Sequence, residues 1–147
     1  MVNYKGLWSK TTKTIKECLE ENNDFKLVTG DVDYSKQSYP LIQFFFQNSI
    51  YQGNGKYRDV YNLLFMFERS HSVTEIIKNM EKVEETTTEV HRVINKDSNT
   101  VNFQAGEIEN LVGEYEDTLI DAYRVNFEVE KLISMKPKRL KGGESNG

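Results

Sequence analysis

The 147-residue chain has a single cysteine, Cys18, which excludes an internal disulfide. A lone thiol on an apolar helical stripe usually serves as a small buried hydrophobe, and its presence fits a reducing compartment. No stretch approaches the roughly 20 apolar residues that a membrane-spanning helix needs. The segment Met1 to Trp8 likewise has no uninterrupted apolar run of signal-peptide length. A soluble protein without a membrane partner is therefore expected. Basic residues are not in excess, since 19 Lys and Arg against 23 Asp and Glu give a formal net charge of -4. Gripping DNA depends on clustered cations that neutralise phosphates, so DNA binding is not expected to be the main activity.

The spacings that signal chemistry are missing too. The two histidines, His71 and His91, do not stand in an HExxH pattern and no CxxC accompanies them, so they read as surface or capping side chains. There is no Gly-x-Ser-x-Gly elbow, Walker loop or dinucleotide fingerprint. Gly53-Asn54-Gly55 is explained by turn geometry and not by a phosphate cradle. Carboxylates are plentiful at Asp31, Asp33, Glu107, Glu109, Glu114, Glu116 and Asp117, and a divalent ion held among them would make a small metal-dependent nuclease. Against that reading, acids alternating along a strand form its wet face, no Glu-x-Lys follows them, and net negative charge repels a nucleic-acid substrate. The expectation is a protein that is not an enzyme and has no metal or cofactor site.

What the chain does have is large apolar surface: eight Phe, eight Tyr and one Trp, enough for one core and one domain. From Tyr4 to Glu21, Leu7, Thr11, Ile15, Cys18 and Leu19 recur at helical spacing, which predicts an amphipathic first helix stopped by Asn22-Asn23-Asp24. Phe25 to Thr29 alternates and predicts a short strand. After a polar loop over Asp31 to Ser38, the segment Tyr39 to Gln47 reads as a strand with Pro40 at its start, where a missing donor does least harm. Its Phe44-Phe45-Phe46 run puts aromatics on both faces, and the outward one requires a cover. Gln52 to Lys56 predicts a hairpin turn into a long strand, Tyr57 to Arg69, with Tyr61, Leu63, Phe65 and Phe67 on its core side.

Ser72-Val73-Thr74-Glu75 has capping-box spacing, with Ser and Glu each satisfying an orphan amide at a helix start. Val73, Ile76, Ile77, Met80, Val83, Thr87, Val90 and Ile94 then form a stripe that predicts one helix facing a sheet. Thr86-Thr87-Thr88 is its weak point, because three β-branched residues lower helix propensity, and the alternative is a helix that ends there with Glu89 to Ile94 extended. Thr100 to Gln104 predicts a short strand. Glu107 to Tyr115 and Leu119 to Ile133 predict two long strands joined by Glu116-Asp117-Thr118. Residues 1–133 form the expected domain. Residues 134–147, with Lys136, Lys138, Arg139 and Lys141, read as a basic tail that is mobile or docked on a partner. The fold class is α+β, with a mixed, largely antiparallel sheet and two helices packed on one face.

This order resembles the tail terminator, or tail completion, proteins of tailed bacteriophages and related archaeal viruses. The order is helix, short strand, Tyr39-Pro40-Leu41-Ile42-Gln43-Phe44, glycine turn, a long strand ending Leu64-Phe65-Met66-Phe67-Glu68-Arg69-Ser70, capped helix and a final Phe127-Glu128-Val129 strand. The similarity covers about residues 4 to 133 and lies in patterns of pleat and turn. It implies a homo-oligomer, a hexameric ring in the virion neck, assembled in the host cytoplasm. Such rings end polymerisation of the tail tube and join the tail to the head connector. The implied partners are the tail tube protein and the connector proteins, with DNA passing through the ring without specific binding. A head-to-tail ring needs two complementary patches per subunit, and Phe44, Phe46, Tyr51, Tyr57 and Tyr61 are the candidate interface side chains. The alternatives are a head completion adaptor and a partner-binding module unrelated to viruses.

Overall fold

A computed structural model of the chain describes residues 4–31, 33–96, 100–111 and 119–132. The first helix, α1 (Tyr4–Glu20), buries Thr11, Ile15 and Leu19 at four-residue spacing and half-buries Cys18. It ends where the Asp24 amide turns back to the Asn22 side-chain oxygen at 2.8 Å, the local bond by which Asn competes with helix continuation. Strand β1 (Lys26–Val28) follows, then a 3-10 turn over Tyr34–Lys36 capped by Asp33. Strands β2 (Leu41–Gly53) and β3 (Lys56–Glu68) form a long hairpin. Its two-residue connection, Asn54-Gly55, has positive φ at both positions, 55° and 74°, the geometry whose twist matches that of the flanking strands.

Helix α2 (Val73–Ile94) is continuous through the three threonines. Thr86 is buried and accepts the Asn22 side-chain amide at 2.9 Å, while the Thr87 hydroxyl donates to the Val83 carbonyl at 2.8 Å. Tertiary and local hydrogen bonds thus override the weak propensity of the run. Strands β4 (Thr100–Ala105), β5 (Glu109–Asn110) and β6 (Ile120–Leu132) complete the sheet.

The sheet order is β1-β2-β3-β6-β4, with β5 pairing a different stretch of β6 from β4. Only β1 and β2 run parallel, so the sheet is mixed and mostly antiparallel. Both helices lie on one face, where Ile15, Leu19, Val83, Val90 and Ile94 pack with Ile42, Phe44, Tyr61, Leu63, Phe65, Phe67, Tyr123, Val125, Phe127 and Val129. Alternation along β3 and β6 puts these odd-numbered residues on the helix side. The opposite face carries a smaller cluster of Leu41, Leu64, Met66, Leu111, Ile120 and Ala122.

Four expectations are revised by the structure. The buried stripe of α2 is Asn79, Val83, Thr86, Val90 and Ile94, whereas Val73 and Ile77 are exposed. Periodicity identifies the inward side of a helix but not how far the sheet beneath it extends. The capping box closes on one side only: Ser72 accepts the Glu75 amide at 3.3 Å, but the Ser72 amide donates to the Ser70 hydroxyl at 3.1 Å, so the Glu75 carboxylate has no amide to reach there. The strand read at Glu107 to Tyr115 is the two-residue β5 within the described residues, and 112–118 lie outside them, as do 133–147 with the basic tail. Finally, the outward aromatic Phe45 is covered from within. The loop before β2 lays Tyr34 and Tyr39 over that face, fixed by a Tyr34 hydroxyl to Gln43 bond of 2.9 Å.

Candidate interaction surface

The long hairpin has two regimes. Near its base, β2 is buried from Leu41 to Phe44; from Gln47 onward it is mostly exposed, including Asn48, Ile50, Tyr51 and Gln52. The five aromatic residues singled out above divide between these regimes. Phe44 and Tyr61 lie inside the subunit's own core, with parallel rings 5.8 Å apart, and Phe46 is half-buried edge-on to Tyr61 at 5.3 Å. Tyr51 and Tyr57 face each other across the hairpin end with ring centroids 4.9 Å apart, Tyr51 being 55% exposed. Of the five, only Tyr51 is exposed, while Tyr57, like Phe46, is half-buried. Ile50, on the other side of the same strand, adds a second exposed apolar group.

Beneath this exposed end lies a feature that sequence reading missed. Asp59 and Lys131 are both fully buried, and the Lys131 Nζ approaches Asp59 Oδ2 to 2.6 Å. The Ser49 hydroxyl donates to Asp59 Oδ1 at 2.6 Å. A buried carboxylate and ammonium persist only when each neutralises the other, so the pair ties β2, β3 and β6 together where the apolar core runs out. The signal was present in the alternation: Asp59 and Lys131 both occupy odd positions, the helix side, where β3 and β6 are otherwise apolar apart from Asp121 at the opposite end of β6.

Several other charged groups are engaged in ion pairs or caps. The Asp121 carboxylate accepts from Arg69 Nε at 3.4 Å and from the Ser70 amide at 3.2 Å, and Arg69 also reaches the Ile120 carbonyl at 3.1 Å. This cluster fastens the β3–α2 connection and borders a cavity of about 250 Å³ that Tyr39, Phe67 and Asn79 also line. Glu109 accepts Arg124 in a two-pronged pair at 2.9 and 3.3 Å, a bond that holds its carboxyl below the usual range. Asp33 serves as a turn cap, accepting the Ser35 amide at 3.1 Å. Both histidines are exposed. Among the described residues, no three His, Cys, Asp or Glu side chains gather as metal ligands would, and no helix is long and apolar enough to cross a membrane.

Cys18 sits in the groove between the helices with Glu21, Asn22, Thr86 and Glu89. Burial pushes its thiol above the ordinary value, and the Glu89 and Glu21 carboxylates push it further. The protonated form is favoured by the fold, so this contribution to stability is complete below the unfolded thiol pKa and is lost as pH rises through the folded one. Alkylation by iodoacetamide should accordingly be slow at neutral pH in the native protein and fast in urea. Equal rates in the two states would contradict a shielded thiol.

No family model matches the chain, and no curated protein matches it.

Proposed function

We propose that this chain is a structural virion protein whose copies form a ring, hexameric by resemblance, at the top of the viral tail tube. There the ring ends tail polymerisation and joins the tail to the head connector. The observation that carries the reading is the outer half of the β2–β3 hairpin. It projects the exposed Tyr51 and Ile50, with the half-buried Tyr57 beside them, beyond the helix-covered core on a thirteen-residue strand pair, surface that a self-sufficient monomer has no use for. The element order that resembles tail terminators supports the same conclusion, as does the acidic balance, since a negatively charged ring lets DNA slide through without adhering. The subunit then works by shape and contact alone, with the tail tube on one side and connector proteins on the other.

Two measurements test this. Light scattering after size exclusion should give a ring-sized species in place of the 17.1 kDa monomer. Particles made without the protein should carry tails of uncontrolled length that fail to join heads. Normal tails and a stable monomer at high concentration would refute the proposal.

A further inference from the structure

The sheet has two open borders, and they match. On one side, β1 pairs β2 only over Leu41–Gln43, so the rest of β2 has no described strand beyond it. On the other side, β4 is the last strand of the path, again with no described strand beyond it. The registers place both borders at the same height. Asn102 of β4 is level with Glu130, Arg58 and then Ile50 of β2, and Gln104 is level with Glu128, Val60 and Asn48. At the other height, β1 and β5 occupy the two borders, on rows such as Val28, Gln43, Leu64, Arg124 and Glu109.

The charge pattern of these borders is the reverse of what an isolated sheet requires. Soluble proteins protect an open strand with Lys, Glu or Pro so that a second chain cannot pair with it. Here the inner strands carry the charge, Lys56, Arg58, Asp59 and Glu68 on β3 and Asp121, Arg124, Glu128, Glu130 and Lys131 on β6. From Gln37 to Gly55, a span that includes all of β2, no residue is charged, and neither is any residue of β4. Exposed Asn48, Ile50, Tyr51 and Gln52 face no electrostatic barrier to pairing, and the same holds for exposed Asn102 and Gln104.

The geometry points to a second copy of this chain as the occupant: β4 of one subunit adds to the outer half of β2 of the next and continues the sheet. Successive antiparallel steps from β2 through β3 and β6 to β4 leave β4 antiparallel to β2. A neighbour displaced sideways with its strand directions kept therefore forms an antiparallel ladder without inversion. The two borders differ, so the contact is head-to-tail, and it closes into a ring when the rotation per subunit divides a full turn. Backbone bonds supply the affinity and the exposed side chains set the register. This inference rests on the ring reading above and specifies its contact.

Cysteine pairs test it in a Cys18→Ala background, combining Asn48→Cys or Ile50→Cys with Asn102→Cys or Gln104→Cys. The four combinations cover the level register and shifts of two residues. At least one should yield disulfide-linked multimers on a non-reducing gel, while the corresponding single variants, mixed, should yield dimers only. As a second arm, Ile50→Glu in the unmodified chain should lose the assembled species in size exclusion while keeping the native circular dichroism spectrum, because Ile50 is exposed. An assembled ring that crosslinks in no combination and tolerates Ile50→Glu overturns the strand pairing and leaves the ring reading standing. A chain that stays monomeric at every concentration overturns both.

Discussion

Replacing Lys131 by Met should destabilise the subunit by about 3–5 kcal/mol, a large part of the roughly 5–15 kcal/mol available to a domain of this size. The reason is asymmetric. Lys131 and Asp59 are each fully excluded from solvent, and their 2.6 Å approach offsets the desolvation of both. Removing the ammonium leaves the carboxylate buried with Ser49 as its remaining hydroxyl donor, and one hydrogen bond does not compensate a buried charge. Asp59→Leu should be similarly damaging for the mirror-image reason. The double variant Asp59→Leu/Lys131→Met should recover most of the loss, because well-packed apolar residues often replace a buried ion pair at little or no cost. Urea unfolding of all four proteins closes the cycle. Strictly additive losses would mean that the two groups do not depend on each other.

Phe65→Ala is expected to destabilise by about 3–5 kcal/mol through lost burial and the cavity left behind. Phe65 is fully buried toward the C-terminal end of β3, level with Ile42 on one side and Tyr123 on the other, and Phe25 meets its ring edge-on at 5.4 Å. Its strand neighbours are held by the sheet ladder, so they can move little into the void. Ile77→Ala serves as the contrast. It is an equally apolar position by sequence, but the side chain is 53% exposed, and the change should fall within about 0.5 kcal/mol. Comparable losses at the two sites would mean that α2 is rotated or extended relative to its described packing.

That contrast shows where sequence reading succeeds and where it stops. Alternation over Tyr123 to Val129 is imposed by the pleat, so that strand and its inward face were legible residue by residue, whereas over Tyr61 to Phe67 the strand was legible but Leu64 and Met66 are apolar too and pack on the opposite face. The existence of α2 was legible as well. The positions of Val73 and Ile77 were not legible, because burial depends on what lies across from the helix. The cover on Phe45 was equally hidden: the polar-looking loop contributes Tyr34 and Tyr39 only because the buried Gln43 side chain secures it. For the interface candidates, pattern alone could not distinguish Phe44 and Tyr61, which face the helices, from Tyr51 and Tyr57 at the hairpin end. The row-by-row matching of the two uncharged borders requires knowing that β6 separates β3 from β4, a non-local fact that no window of sequence contains.

The insertion of β6 also affects how the polypeptide is made. It is the last described strand to leave the ribosome, yet it belongs in the middle of the sheet, between β3 and β4. Until Ile120–Leu132 emerges, the hairpin lacks its principal neighbour, β4 has nothing to pair with, and Lys131 is not yet present to neutralise Asp59. Formation of the sheet must therefore wait for β6, and pairing of such distant segments is slow. During that interval the uncharged β2 strand is exposed to other nascent chains, the kind of unpaired edge that makes folding intermediates prone to aggregate.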